Sequence, residues 1–147
     1  MEKQKFKISI DASREKVWSI LWGDTTYPVW TSVFSEGSRA ETDWKEGSKV
    51  LFLDGKGQGM VSKIAAKKPN EFMSFKHLGT LKDGVEDLES EQAGEWSGSL
   101  ENYTLKTVNG KTELNVDIDV TEEFKDYFMK TFPKALEKVK ALAENNK

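Results

Sequence analysis

One strongly alternating strand that runs straight into a long amphipathic helix limits what this chain of 147 residues can fold into more than any other feature. Over Lys111–Thr121, Leu114, Val116, Ile118 and Val120 share one face and Glu113, Asn115, Asp117 and Asp119 the other, the alternation of a half-buried antiparallel strand. From Glu122 to about Asn146, Phe124, Phe128, Phe132, Leu136, Val139 and Leu142 recur at three- or four-residue spacing and make one apolar stripe along a helix. A stripe that wide has to be buried, and the only large apolar surface the sequence offers is a curved antiparallel sheet. A single helix does not fill such a sheet, so the space between them is expected to be a pocket.

The rest of the chain supplies that sheet. Phe6, Ile8 and Ile10 alternate with Lys5, Lys7 and Ser9 in a first strand that Asp11–Ala12 ends. Ser13 then reads as an N-cap, with Glu15 in the first turn where the helix dipole favours an anion. That helix reaches about Trp22, with Val17, Ile20 and Leu21 facing inward, and a second short helix carries Tyr27, Val29, Trp30 and Phe34, with Pro28 in its first turn. From Ser38 onward strands are expected at Ser38–Trp44, Ser48–Asp54, Gly57–Lys67, Phe72–His77 or beyond, Glu95–Val108 and Lys111–Thr121. Turn residues separate them, Asn109-Gly110 most clearly. The expected class is α+β: one domain over 1–147, an antiparallel meander around a long C-terminal helix that Pro133 should bend or locally disrupt.

Composition narrows the chemistry. With no cysteine, disulfides, thiolate metal sites and cysteine nucleophiles are excluded together, which fits a reducing, cytoplasmic setting. The charged N-terminus is unlike a signal peptide, and no stretch approaches membrane-spanning length. Twenty-two basic against 25 acidic residues give a net charge of −3, which disfavours nucleic acid as a partner. His77 is the one histidine, so neither an ordinary zinc site nor a Ser–His–Asp constellation with a recognisable nucleophile elbow is expected. Gly55-Lys56-Gly57-Gln58-Gly59 lacks the lysine and hydroxyl of a phosphate loop and reads as a hairpin turn, and the acidic run Asp83–Glu95 lacks the spacing of a calcium loop. No cofactor is implied.

A set of local patterns resembles a known superfamily. They are Ile10-Asp11-Ala12-Ser13-Arg14-Glu15-Lys16-Val17-Trp18 with Trp30 closing the second helix, Trp44-Lys45-Glu46-Gly47-Ser48, Pro69-Asn70-Glu71-Phe72, and Glu101-Asn102-Tyr103-Thr104-Leu105 followed by Gly110-Lys111-Thr112-Glu113-Leu114. In this order and spacing they resemble START-like (SRPBCC) proteins, and within them homologues of the C-terminal domain of the co-chaperone that activates the heat-shock-protein ATPase. The resemblance spans the chain and implies a helix-grip fold, with a bent sheet wrapped around the last helix. Its main departure is Gly79–Gly94, longer and more acidic than a minimal hairpin.

Aromatic residues and a few polar groups are the candidate site. Trp30, Phe52, Phe75, Trp96, Phe128 and Phe132 lie on elements that face either a ligand or a plain core, since large rings serve both. Strand parity puts Met73, Phe75 and His77 on one face, and Glu101 on the same side as Tyr103 and Leu105. His77, Glu101 and Tyr103 are thus the polar groups able to orient a ligand. Three function classes follow: binding a hydrophobic or amphipathic small molecule or lipid; a protein-interaction role with a chaperone or other protein, implied by the resemblance; and a cyclase- or aromatase-like enzyme, implied by the same superfamily. Binding comes first, because the pocket-forming architecture and the aromatic set favour it, and the full-length co-chaperone's additional N-terminal domain, not seen in this sequence, counts against an expectation of ATPase activation.

Overall fold

The computed structural model describes residues 2–91, 94 and 97–145. Strand β1 (Glu2–Ile10) leads into helix α1 (Arg14–Trp22), whose N-cap Ser13 side chain accepts from the Lys16 amide at 3.1 Å, with Glu15 in the first turn. Helix α2 (Tyr27–Trp30) runs into a single tight turn over Thr31–Val33. Then come β2 (Arg39–Glu41), β3 (Lys49–Leu53), β4 (Gly59–Lys68), β5 (Phe72–Lys82), β6 (Val85–Asp87), β7 (Leu100–Val108), β8 (Lys111–Val120) and helix α3 (Lys125–Glu144). Among the described residues the strands form one eight-stranded antiparallel sheet in the order β1-β8-β7-β5-β4-β3-β2, with β6 paired to β5. None of the described helices is long and apolar enough to cross a membrane.

Two slips in the β4–β5 register bend this sheet. Leu78 is extra on β5 between the pairs Val61–Gly79 and Ser62–His77, and Ala65 is extra on β4 between Ile64–Phe75 and Ala66–Ser74. An extra residue locally strengthens twist and re-aims the side chains beyond it. Past Leu78 the buried residues accordingly change face: Leu81, Val61 and Leu53 form a small second cluster, apart from the main core. Gly59 is needed where β4 begins, because a Cβ there would lie 1.7 Å from the Phe52 carbonyl oxygen.

The main core is the apolar face of this sheet with α1, α2 and α3 laid on it. Val17, Leu21 and Trp30 meet Phe75, Tyr103, Leu105, Leu114 and Val116 from the sheet, and Phe132, Ala135, Leu136, Val139 and Ala143 close it from α3. Phe6 stacks on Phe132 with ring centroids 5.0 Å apart, fixing α3 against β1.

Four expectations change. Helix α3 begins after a tight turn at Glu122–Phe124 and is continuous through Pro133, so no break occurs there. The buried stripe on both sides of the proline, Phe132 before it and Ala135 and Leu136 after it, holds the helix on the sheet at the cost of one backbone hydrogen bond. Phe124, counted in the stripe, is 37% exposed, because it precedes the helix. The acidic segment contributes a strand, β6, through a tight Asp83-Gly84 turn with both residues at positive φ (51° and 80°). The strand expected from Glu95 starts at Leu100 instead, after a turn at Gly98 (φ 88°), and Glu95 itself lies outside the described residues.

These burials separate stripe from surface experimentally. Leu136→Ala is expected to cost about 2–5 kcal/mol, because truncation loses transfer energy and leaves a cavity. Phe124→Ala should cost clearly less, because more than a third of that residue stays in solvent. Urea denaturation of both variants checks the contrast, and equal losses would contradict it.

Candidate functional site

Between the N-terminal half of α3, helix α2 and the concave face of the sheet lies a cleft of about 260 Å³. That is slightly below the roughly 300 Å³ at which pockets for drug-sized ligands begin. Its wall is mostly aromatic: Tyr27 and Trp30 from α2, Phe34 after it, Phe52 from β3, Tyr103 from β7, and Tyr127, Phe128 and Phe132 from α3. Thr31, Ser38, Met60, Ile118, His77 and Glu101 complete it. One rim is tied across its two elements, where the Tyr127 hydroxyl donates to the Phe34 carbonyl oxygen at 2.9 Å.

The polar end of the cleft is a chain of four side chains from three strands. His77 Nδ1 lies 2.6 Å from Ser62 Oγ, its Nε2 lies 3.1 Å from Glu101 Oε1, and the Tyr103 hydroxyl donates to Glu101 Oε2 at 2.5 Å. Strand pairing sets these contacts: Ser62 is opposite His77 across β4–β5, and Glu101 and Tyr103 stand two apart on β7, facing one way. Ser62 is fully buried and His77 and Tyr103 nearly so, while the Glu101 side chain is 18% exposed toward the cleft.

The partners assign the protons. A carboxylate only accepts, so Nε2 carries a hydrogen toward Glu101. With the ring hydrogen on Nε2, the buried Ser62 hydroxyl donates to Nδ1, and every group of the chain has a partner. Glu101 is thus presented to the cleft braced on both oxygens, by His77 and by Tyr103. Burial and then the Glu101 charge hold the Tyr103 phenol well above its ordinary value, and the same two causes raise that of Tyr27. Both phenols stay protonated at neutral pH.

This arrangement can bind and orient, but it is no serine hydrolase site. Ser62 has the partners of a triad, yet it is sealed beneath His77 and does not reach the cleft. Glu101 is the polar group with both access and basic lone pairs.

Of the residues expected at the site, Trp30, Phe52, His77, Glu101, Tyr103, Phe128 and Phe132 line the cleft together. Phe75 does not. It is fully buried under the wall, with ring centroids of Phe52 and Trp22 at 5.1 and 5.3 Å, because those rings close over the central strand that carries it. Trp96 lies outside the described residues. Tyr27, Thr31, Ser38, Met60, Ile118 and Tyr127 are wall residues the sequence reading did not choose, and Ser62 is its missing polar partner. Parity carried part of the signal, since Met60, Ser62 and Ile64 alternate on β4 and Ile118 shares its face with Val116. Pairing of Ser62 with His77 needed the slipped register, which no local pattern shows.

No family model matches the chain, and neither does any curated protein sequence. Solved structures do. Protein MLL2253 from Mesorhizobium loti aligns with a TM-score of 0.78 at 14% identity, covering 99% of both chains. The Aha1 dimer from Colwellia psychrerythraea aligns with a TM-score of 0.71 at 20% identity, covering 100% of both. DynU16, a protein of the dynemicin biosynthetic locus, aligns with a TM-score of 0.72 at 15% identity, over all of this chain but 49% of that one. At these identities the likeness is one of architecture, and what the chain shares with these proteins is a helix-grip fold, a curved antiparallel sheet closed by a long C-terminal helix.

Proposed function

We propose that this protein binds a small apolar or amphipathic molecule in the cleft between sheet and C-terminal helix. The observation that carries the reading is an aromatic-walled hollow into which one braced carboxylate, Glu101, projects. Pockets of that make-up, mostly apolar with a few placed polar groups, are where small ligands bind. The volume suits a compact ring system better than a long lipid chain. DynU16, from a biosynthetic locus, has the same fold, which accords with small-molecule work without specifying it.

Native mass spectrometry of protein from its own host, with a thermal-shift screen of aromatic metabolites and lipids, tests the proposal. At about 100 times its Kd, a ligand stabilises the native state by about 2.7 kcal/mol. At about 2–4 °C per kcal/mol for a domain of this size, the melting temperature should rise by roughly 5–10 °C. Amide shifts on binding should centre on Thr31, Met60 and Ile118. No co-purifying species and no shift across a broad panel would refute it.

A second reading has one specific observation behind it. Val29, Tyr127 and Met129 are exposed on α2 and α3, and the Aha1 dimer from Colwellia psychrerythraea has this fold, so a partner protein is the alternative occupant of that end. Co-purification of a chaperone would favour this reading. Turnover of a bound compound, lost in Glu101→Gln, would instead move the protein to the enzymes, with Glu101 as the base.

A further inference from the structure

The charges lining the cleft restrict the chemistry of its ligand. Among the described residues no lysine or arginine lines it, and both ring nitrogens of His77 are engaged, by Ser62 and by Glu101. Glu101 is the one carboxyl group among the described residues of the wall, with no fixed cation beside it. Each of its oxygens accepts one hydrogen bond, from His77 or Tyr103, so lone pairs remain on the carboxylate where it is open to the cleft. Those lone pairs can only be satisfied by a donor.

We infer that the cleft is built for a compact aromatic amine, its ammonium group on Glu101 and its ring system against the aromatic wall. This rests on the proposed small-molecule function and deepens it. An ammonium gains a charge-assisted hydrogen bond to the carboxylate in a site of low dielectric. Aromatic rings in the same wall, those of Tyr27, Trp30 and Phe52 among them, supply the kind of surface on which a cation gains cation–π attraction. A ligand carboxylate or phosphate would meet the opposite situation: a like charge, no counter-cation, and loss of its hydration. The same wall that accepts an amine therefore rejects its acid isostere.

Calorimetric titration with three probes of one shape, naphthylmethylamine, naphthylmethanol and naphthoate, tests this at neutral pH. The amine should bind about tenfold or more tighter than the alcohol, and naphthoate at least about a hundredfold weaker than the amine. In Glu101→Gln the amine should lose about 10–100-fold in affinity, and its preference over the alcohol should shrink to less than about threefold. Comparable binding of naphthoate and amine to the natural protein would overturn the inference, without recourse to any variant, and so would an amine preference that survives Glu101→Gln. If the alcohol binds and the amine is not preferred, only the inference fails. Failure of all three probes together with an empty broad screen removes the small-molecule reading and the inference with it.

Discussion

Trp30→Ala should cost about 3–5 kcal/mol, a large part of what holds a domain of this size folded. Trp30 is 1% exposed, and its indole N–H donates to the Leu21 carbonyl oxygen at 3.0 Å. Its ring meets Tyr27, Tyr103 and Trp22 with centroids 5.5, 6.3 and 6.5 Å away. Truncation therefore removes a large apolar volume where both N-terminal helices meet the sheet and leaves the last turn of α1 without a donor to that carbonyl. Trp30→Phe separates the two effects: it keeps most of the volume and should cost about 1–2 kcal/mol for the lost hydrogen bond and imperfect fit. Urea denaturation followed by far-ultraviolet circular dichroism measures both, and a loss below about 1 kcal/mol for the alanine variant would show that the site collapses around the missing ring.

Alkali should unfold the protein through two of its three tyrosines. Tyr27 and Tyr103 are 8% and 1% exposed, and burial, reinforced by the Glu101 charge, raises both phenols above the ordinary value of 10.0. The sign follows from proton counting. Above pH about 10 the unfolded chain loses both phenolic protons while the folded chain keeps them, so stability that is complete below that pH falls as pH rises. Each tyrosine contributes a slope approaching about 1.4 kcal/mol per pH unit while it is ionised in the unfolded chain and protonated in the folded one, steep against a whole domain's stability. Tyr127, 42% exposed and raised by partial burial alone, should ionise first. Phenolate absorbance is then expected in two phases, the second coinciding with loss of circular dichroism. Tyr27→Phe should move the unfolding transition to higher pH. Three phenols titrating together near their ordinary value, with structure retained, would refute the account.

Local physics made much of the fold legible in the sequence. Period-two alternation at Leu114–Val120 and three- or four-residue spacing at Phe132–Val139 each report one buried face, so strand, helix and their mutual packing could be read without coordinates. The Ser13 cap and the Asn109-Gly110 turn are chemical necessities of short segments, and both stand where the residues put them. Parity likewise placed Glu101 beside Tyr103 and His77 on the inward face.

Tertiary structure alone decided three things. Whether an aromatic ring lines a hollow or fills it depends on what closes over it, which is why Phe52 reaches the cleft and Phe75, equally inward by parity, does not. Burial of the stripe stops short of Phe124 because the helix begins one residue later, and no spacing rule fixes where a turn gives way to a helix. The Ser62–His77–Glu101–Tyr103 chain depends on a one-residue slip at Leu78 and on the β5–β7 pairing of strands far apart in sequence. Alternation tells each strand which face is inward, but it carries no information about which residue of another strand stands opposite, and that register decides whether two polar side chains meet.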